Sequence, residues 1–321
     1  MHKTGFASLA VLAAVLSAPR VAAAEVTLRA VSAFAEGTQF SKNFERFVDK
    51  VNRDGKGVVQ INYIGGPRAV PPFEVGNAVR TRVVDMANVT GAFYSNLMPE
   101  SDAFKLLGKP MSEQRRNGTW DYLNQLHNHK LNAWYLARQF HNVPFHIYLN
   151  KKIDRLDFAG LKVRVTPVYR DIVQALGGTP INTAPGEVYT ALERGVVDGY
   201  GWPVSGIFDL GWDKVTKYRL DPGFYSVEVN VLVNLDVWKG LTEPQRKVLV
   251  DAALWLEALD AESVATITSE RERQAKAGIQ ALDFGPEESK KFLDRANDVA
   301  WDTVIKRAPE IGAKLRELAG N

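Results

Sequence analysis

One pattern of eleven residues occurs twice in this chain and limits its fold more than any other feature. Val75-Gly76-Asn77-Ala78-Val79-Arg80-Thr81-Arg82-Val83-Val84-Asp85 and Val188-Tyr189-Thr190-Ala191-Leu192-Glu193-Arg194-Gly195-Val196-Val197-Asp198 both read V-x-x-A-aliphatic-x-x-x-V-V-D, 113 positions apart. In each copy an amphipathic helical stretch feeds a β-branched strand. A helix followed by V-V-D is common in α/β proteins, so coincidence is one explanation. The other is two lobes of related construction, each offering strand ends to a shared cleft.

The flanking sequence fits an α/β chain, and 321 residues is about twice the usual domain size. Val26–Val31 alternates as a strand does, and Val58–Tyr63 is a β-branched run. Between them Phe40, Phe44, Phe47, Val48 and Val51 recur at helical spacing until Gly55 and Gly57. Gly65, Gly66, Pro67, Pro71 and Pro72 make a loop before the first copy of the pattern, and Val83–Val89 returns to strand. Strands alternating with crossover helices predict a largely parallel sheet. A second lobe begins near Asn150, with Leu161–Val165 as strand and Tyr169–Leu176 as helix, closed by Gly177 and Gly178. The chain is expected to cross between lobes at about 145–158 and again over Phe224–Leu235. Thr242 is a helix cap with Pro244 and Gln245 behind it, and a stripe through Val248, Leu249, Ala252, Leu256, Leu259 and Val264 meets no breaker before Gly278. One helix of about 35 residues is predicted, ~50 Å long and able to brace both lobes. A last amphipathic helix covers about 286–319. The expected division is a leader over 1–24, lobe I over 25–149 plus about 236–270, and lobe II over 150–235 plus about 271–321.

The leader is read from Lys3, an uncharged run from Gly5 to Pro19, and the small residues Ala22-Ala23-Ala24. It is a secretory signal, too short for a permanent anchor. Without Lys3 and Arg20, 38 basic residues balance 37 acidic ones, so nothing favours nucleic acid or a membrane surface. There is no cysteine, which excludes disulfides, a thiol nucleophile and iron–sulfur ligation. Dinucleotide, phosphate-loop, zinc-protease and serine-hydrolase motifs are all missing. His127, His129, His141 and His146 form no ligand pattern and read as packed or solvated residues, and no metal or cofactor is expected.

Three stretches carry a family resemblance. Asp157-Phe158-Ala159-Gly160-Leu161-Lys162-Val163-Arg164-Val165 is similar to a D-x-x-G-L-K-x-R-V signature. Gly186–Leu192 with Gly195–Gly199 resembles a G-E-V-Y-x-A-L-x-x-G-x-V-D-G block, and Val233–Leu241 an N-x-D-x-W-x-x-L stretch. Together they resemble the extracytoplasmic solute-binding proteins of tripartite ATP-independent periplasmic (TRAP) transporters. The resemblance implies a two-lobed α/β periplasmic binding protein, hinged between lobes, that closes on an organic acid and presents it to membrane permease subunits. It implies no enzymatic activity.

It also implies that Arg164 clamps the ligand carboxylate, a role that suits a planar two-donor fork. An ion pair with an acid such as Asp171 is the alternative. Sialic acid binders of the family carry an Arg near Asn142–His146 and an Asn before the Pro after V-D-G, where this chain has Phe145 and Trp202. Phe34 stands where sugar-acid binders often have a polar residue. Rings in place of donors point to an aromatic or apolar monocarboxylate. The expected site is Arg164, Trp202, Phe145, Phe34 and Thr90, with Tyr225 as a weaker candidate. Either Phe145 or His146 faces the pocket, and Trp202 is either a wall or core packing. A secreted enzyme using His146 as its acid–base group, or a ligand-sensing partner of a membrane signalling protein, are the competing functions.

Overall fold

A computed structural model describes residues 24–320, and the two copies of the pattern fold alike. Strands and helices are numbered in chain order. The first copy forms helix α2 (Val75–Arg80) and leads into strand β3 (Met86–Val89); the second forms α6 (Val188–Glu193) and leads into β8 (Gly199–Pro203). The Val83 and Val84 amides bond the Ala78 carbonyl at 2.9 and 3.3 Å, and those of Val196 and Val197 bond the Ala191 carbonyl at the same distances. The acid that ends each copy has a structural reason. Asp85 Oδ2 accepts the Arg29 amide at 2.9 Å, and Asp198 Oδ2 accepts the Lys162 amide at 2.9 Å. Each aspartate amide also bonds the carbonyl of the same partner residue, so one residue ties the next strand at both polar groups. The repetition is structural, not coincidental.

Strands β1 (Val26–Ser32), β2 (Val59–Gly65), β3, β4 (Ala133–Gln139) and β11 (Val229–Asn234) form the lobe I sheet in the order β2-β1-β3-β11-β4. The lobe II sheet contains β5 (Pro144–Leu149), β6 (Lys162–Val165), β7 (Thr179–Asn182), β8, β9 (Tyr218–Leu220), β10 (Phe224–Ser226) and β12 (Gln280–Leu282). Its order is β12-β9-β5-β8-β6-β7, with β10 beside β5. Both sheets are mixed rather than largely parallel. β1 is parallel to β2 and β3, and β6 to β7 and β8, but β11 and β5 run against their neighbours. Those two strands follow crossings between lobes instead of crossover helices, which removes the constraint to parallel pairing.

Sheet membership also corrects the expected division at 149/150 and 235/236. β5 pairs with β8 from Phe145↔Pro203 to Leu149↔Gly199, so the chain enters lobe II over Phe140–Val143. β11 pairs with β3 and β4, so it returns at Val227 and Glu228. The leader expected over 1–24 falls, apart from Ala24, outside the described residues.

The brace is two helices, not one. α8 (Glu243–Ala258) packs on α1 (Gln39–Asp54) and β4, while α9 (Asp260–Lys276) packs beside β12. The expected Thr242–Gln245 capping box starts α8. Leu259 interrupts the helices where Asp260 Oδ1 accepts the Phe140 amide at 2.6 Å, so the break sits at the first crossing. The last helix likewise divides into α10 (Pro286–Arg307) and α11 (Pro309–Ala319), because Pro309 has no amide to continue the ladder. Helices α3 (Met111–Arg116), α4 (Thr119–Leu131) and α7 (Leu235–Gly240) cover lobe I, and α5 (Pro167–Ala175) packs against α10. One apolar cluster runs from Val89 and Phe93 through Phe140 and Phe145 to Tyr169, joining the lobes. A second, with Phe44, Phe47, Trp238 and Leu249, backs lobe I. No helix among the described residues is long and apolar enough to cross a membrane.

Candidate functional site

The carboxyl ends of equivalent strands meet between the lobes, the place where open α/β sheets hold ligands. Phe34 follows β1 and Thr90 follows β3; Thr166 follows β6, and Trp202 lies near the end of β8. With Phe40, Phe93, Phe145, Tyr169, Val227 and Glu228 they enclose a cavity of about 40 Å³. That volume holds a few waters, so a ring-sized ligand enters only when walls or lobes move. The walls are aromatic and interlocked. Ring centroids lie 5.5 Å apart for Phe34–Phe40, 5.7 Å for Phe40–Trp202, 4.8 Å for Trp202–Trp212 and 5.3 Å for Phe145–Tyr169. A larger space of about 430 Å³ lies outside, sharing Phe34, Phe40 and Trp202 with the inner cavity. Trp202 therefore stands between the two, and its buried indole N–H has no acceptor among the described residues.

Four of the expected residues, Phe34, Thr90, Phe145 and Trp202, are thus brought together. Trp202 is both wall and packing, since it also touches Trp212. Arg164 is close behind them and lines neither space. Its guanidinium carbon lies 5.8 Å from the Trp202 ring centroid and 5.9 Å from that of Trp212. Nε and Nη2 donate to the Thr183 carbonyl at 2.8 and 2.6 Å, and Nη1 donates to the Gly201 carbonyl at 3.3 Å. Two of its five N–H groups remain unspent. The ion pair with Asp171 is not formed. Burial lowers the Arg164 pKa to about 10, which still leaves it charged at neutral pH.

Two expectations are corrected. His146 turns away from the cavity, because strand alternation sends Phe145 toward Tyr169 and His146 to the other face. There its Nδ1 donates to the Leu220 carbonyl at 2.8 Å, 3.1 Å from an Asp221 oxygen, and burial depresses its pKa despite that acid. It is packing, not an acid–base group on the cavity. Tyr225 is also elsewhere. A left-handed backbone (φ +51°) aims it at α10, where its hydroxyl donates to the Ala296 carbonyl at 2.7 Å and Lys105 Nζ sits 4.8 Å over its ring.

The residue that sequence reasoning missed is Glu228. It is 3% exposed and lines the cavity at the second crossing. Burial pushes its pKa up to about 7 even though Thr90, Gly91 and Asn230 all donate to it. A signal was present in the alternation of Ser226, Glu228 and Asn230 with Val227, Val229 and Val231. Such a pattern ordinarily marks a solvent face; here both faces are buried. Among the described residues no three acids or histidines converge to hold a metal ion.

Residues 30–307 match the family model described as bacterial extracellular solute-binding protein, family 7 (DctP). The chain belongs to this family. The C4-dicarboxylate-binding periplasmic protein of Rhodobacter capsulatus is 31% identical over 166 residues, 49% of this chain and 47% of that protein. The matched stretch thus spans about half the length of that curated relative. Solved structures agree over more of the fold. A TRAP solute-binding protein of Bordetella bronchiseptica, with copurified calcium and picolinate, superposes with a TM-score of 0.81 at 19% identity, covering 92% of both chains. One from Desulfovibrio salexigens with bound orotic acid gives 0.80 at 21% identity, covering 92% of this chain and 97% of that one. The two-lobed architecture is therefore that of the family's receptors.

Proposed function

We propose that this chain is a periplasmic receptor, exported by a cleaved leader over 1–24, that closes on a small organic acid and passes it to TRAP permease subunits without altering it. The observation that carries the reading is Arg164: a fully buried guanidinium with two N–H groups unspent and, among the described residues, no acid within ion-pair distance. A buried, unpaired cation is costly until an anion arrives, and its planar fork matches a carboxylate. Because Trp202 separates Arg164 from the cavity, binding moves the indole. The aromatic walls favour a flat or apolar acid. The hydroxyls of a sugar acid would go unpaired against them at ~1–3 kcal/mol each. The family neighbours with picolinate and orotic acid and the C4-dicarboxylate relative support a small organic acid, whose type varies across the family.

Native mass spectrometry of the purified protein tests this. A retained carboxylic acid, lost on denaturation and unchanged after incubation with the receptor, is expected. Turnover of a bound acid into a new product would overturn the reading in favour of an enzyme.

A further inference from the structure

We infer that Glu228 reads a nitrogen-bound hydrogen on the ligand, so that the acid this pocket selects carries an N–H group as well as a carboxylate. The inference rests on the receptor reading above and names its substrate class.

Glu228 is held as an acceptor from every side. Its Oε1 accepts the Thr90 hydroxyl at 2.5 Å and the Gly91 amide at 2.8 Å, and its Oε2 accepts Asn230 Nδ2 at 2.5 Å. Asn230 cannot turn round. Its Oδ1 accepts the Tyr135 hydroxyl at 2.8 Å, and its Nδ2 also donates to the Tyr94 hydroxyl at 3.2 Å. Tyr94 in turn donates to His127 Nε2 at 3.0 Å, because His127 Nδ1 is spent on the Leu123 carbonyl at 2.6 Å. This chain of oriented donors ends on a carboxylate with about four acceptor positions, three of them filled. The open position is on Oε2.

No cation among the described residues lies within ion-pair distance of Glu228. The charged or titratable groups around it are Arg138 from β4, which lies beyond ion-pair reach, and the tyrosines 94 and 135, kept neutral by burial. A ligand carboxylate placed against Glu228 would meet like charge in a nearly dry pocket. The two acids coexist if the ligand turns its carboxylate toward Arg164 and a hydrogen carrying partial positive charge toward Oε2. The aromatic walls favour the same orientation, since ring faces attract positive charge. Ring acids with an N–H, such as a lactam or a pyrrole acid, satisfy both ends.

The test uses two acids of one shape, pyrrole-2-carboxylate and 2-furoate, in which ring N–H is exchanged for ring oxygen. In calorimetric titrations at pH 7.5, pyrrole-2-carboxylate should bind at least ~10-fold tighter. In Glu228→Gln the preference should fall below about 3-fold, because the side-chain amide cannot accept at both ends. In the parent it should shrink as pH drops from 8 to 6 and Glu228 gains its proton. Equal or tighter binding of 2-furoate overturns the inference but leaves the carboxylate receptor standing. So does binding of both acids only when calcium is added, which would give Glu228 a metal instead of an N–H. Failure of both acids to bind with or without calcium overturns this inference and leaves the acid-receptor reading to the native mass spectrometry above.

Discussion

Arg82 and Gly195 occupy the same place in the two lobes, 113 residues apart, and both are left-handed, with φ of +59° and +67°. Each sits between the repeated helix and its strand. Left-handed backbone costs an L-residue ~1–2 kcal/mol and a glycine almost nothing. A Cβ at Gly195 meets no atom within 4 Å, so the conformational cost can be read without a clash. Gly195→Ala should lower stability by ~1 kcal/mol, seen as a melting temperature lower by about 2–4 °C. Gly240→Ala, at an equally open position without positive φ, should leave it nearly unchanged.

Closure of the lobes rests partly on Asp209. Its Oδ2 accepts the Gln39 amide at the start of α1 at 2.8 Å, and Ser205 Oγ accepts Gln39 Nε2 at 2.8 Å. These bonds join lobe II to lobe I. Removing a carboxylate from a helix start costs ~0.5–2 kcal/mol. Asp209→Ala should therefore populate the open form, raise the ligand-free radius of gyration in small-angle scattering, and weaken ligand binding ~3-fold or more. An unchanged scattering curve with unchanged affinity would remove Asp209 from the closure.

Two buried acids lower stability as pH rises, against the buried histidines His127, His141 and His146, whose depressed pKa values raise it up to about pH 6.5. Burial raises Glu228 to about 7 and Asp260 to about 6, both above their ordinary values. Between those ordinary values and the raised ones the folded chain holds more protons on these two groups than the unfolded chain, so their contribution to stability falls as pH rises. Measured against Glu228→Gln or Asp260→Asn, which remove one titration each and leave the histidines in place, the ligand-free parent should lose ~1–3 kcal/mol between pH 5 and pH 8. A stability difference between parent and variants that stays constant across that range would contradict both assignments.

Trp202→Asn combines two costs. It removes packing against Phe40 and Trp212 and leaves a cavity, lowering the melting temperature of the ligand-free protein by several degrees. It also removes a flat wall, so affinity for a planar acid should fall ~10-fold or more, from ~2 kcal/mol lost. It should not create tight sugar-acid binding, because the other donors are still missing. A melting shift with unchanged affinity would make Trp202 packing alone.

The architecture was legible where local pattern and local contact coincide. Asp85 and Asp198 bond strands of their own lobe, and their spacing from the preceding helix survives unchanged in both copies. The lobe boundaries were less legible. Nothing in Pro144–Leu149 or Val229–Asn234 tells which sheet will accept a strand, since partners fifty or more residues away decide it. Phe145 and His146 show the same limit at one site. Alternation guarantees that they face opposite ways, and only the packing of Tyr169 and Asp221 assigns the faces. Glu228 escaped because a lone acid in a strand reads as a solvent-facing residue until the opposite lobe covers it.

The central claim is that the free edge of Arg164 holds a carboxylate. Its most direct test is calorimetric titration of Arg164→Lys with the acid the protein retains on purification, or with pyrrole-2-carboxylate where none is retained. Lysine keeps the charge and loses the planar fork. Affinity should drop ~30-fold or more, about 2 kcal/mol, in a variant whose far-ultraviolet dichroism shows it folded. Binding as tight as the parent's would contradict the account.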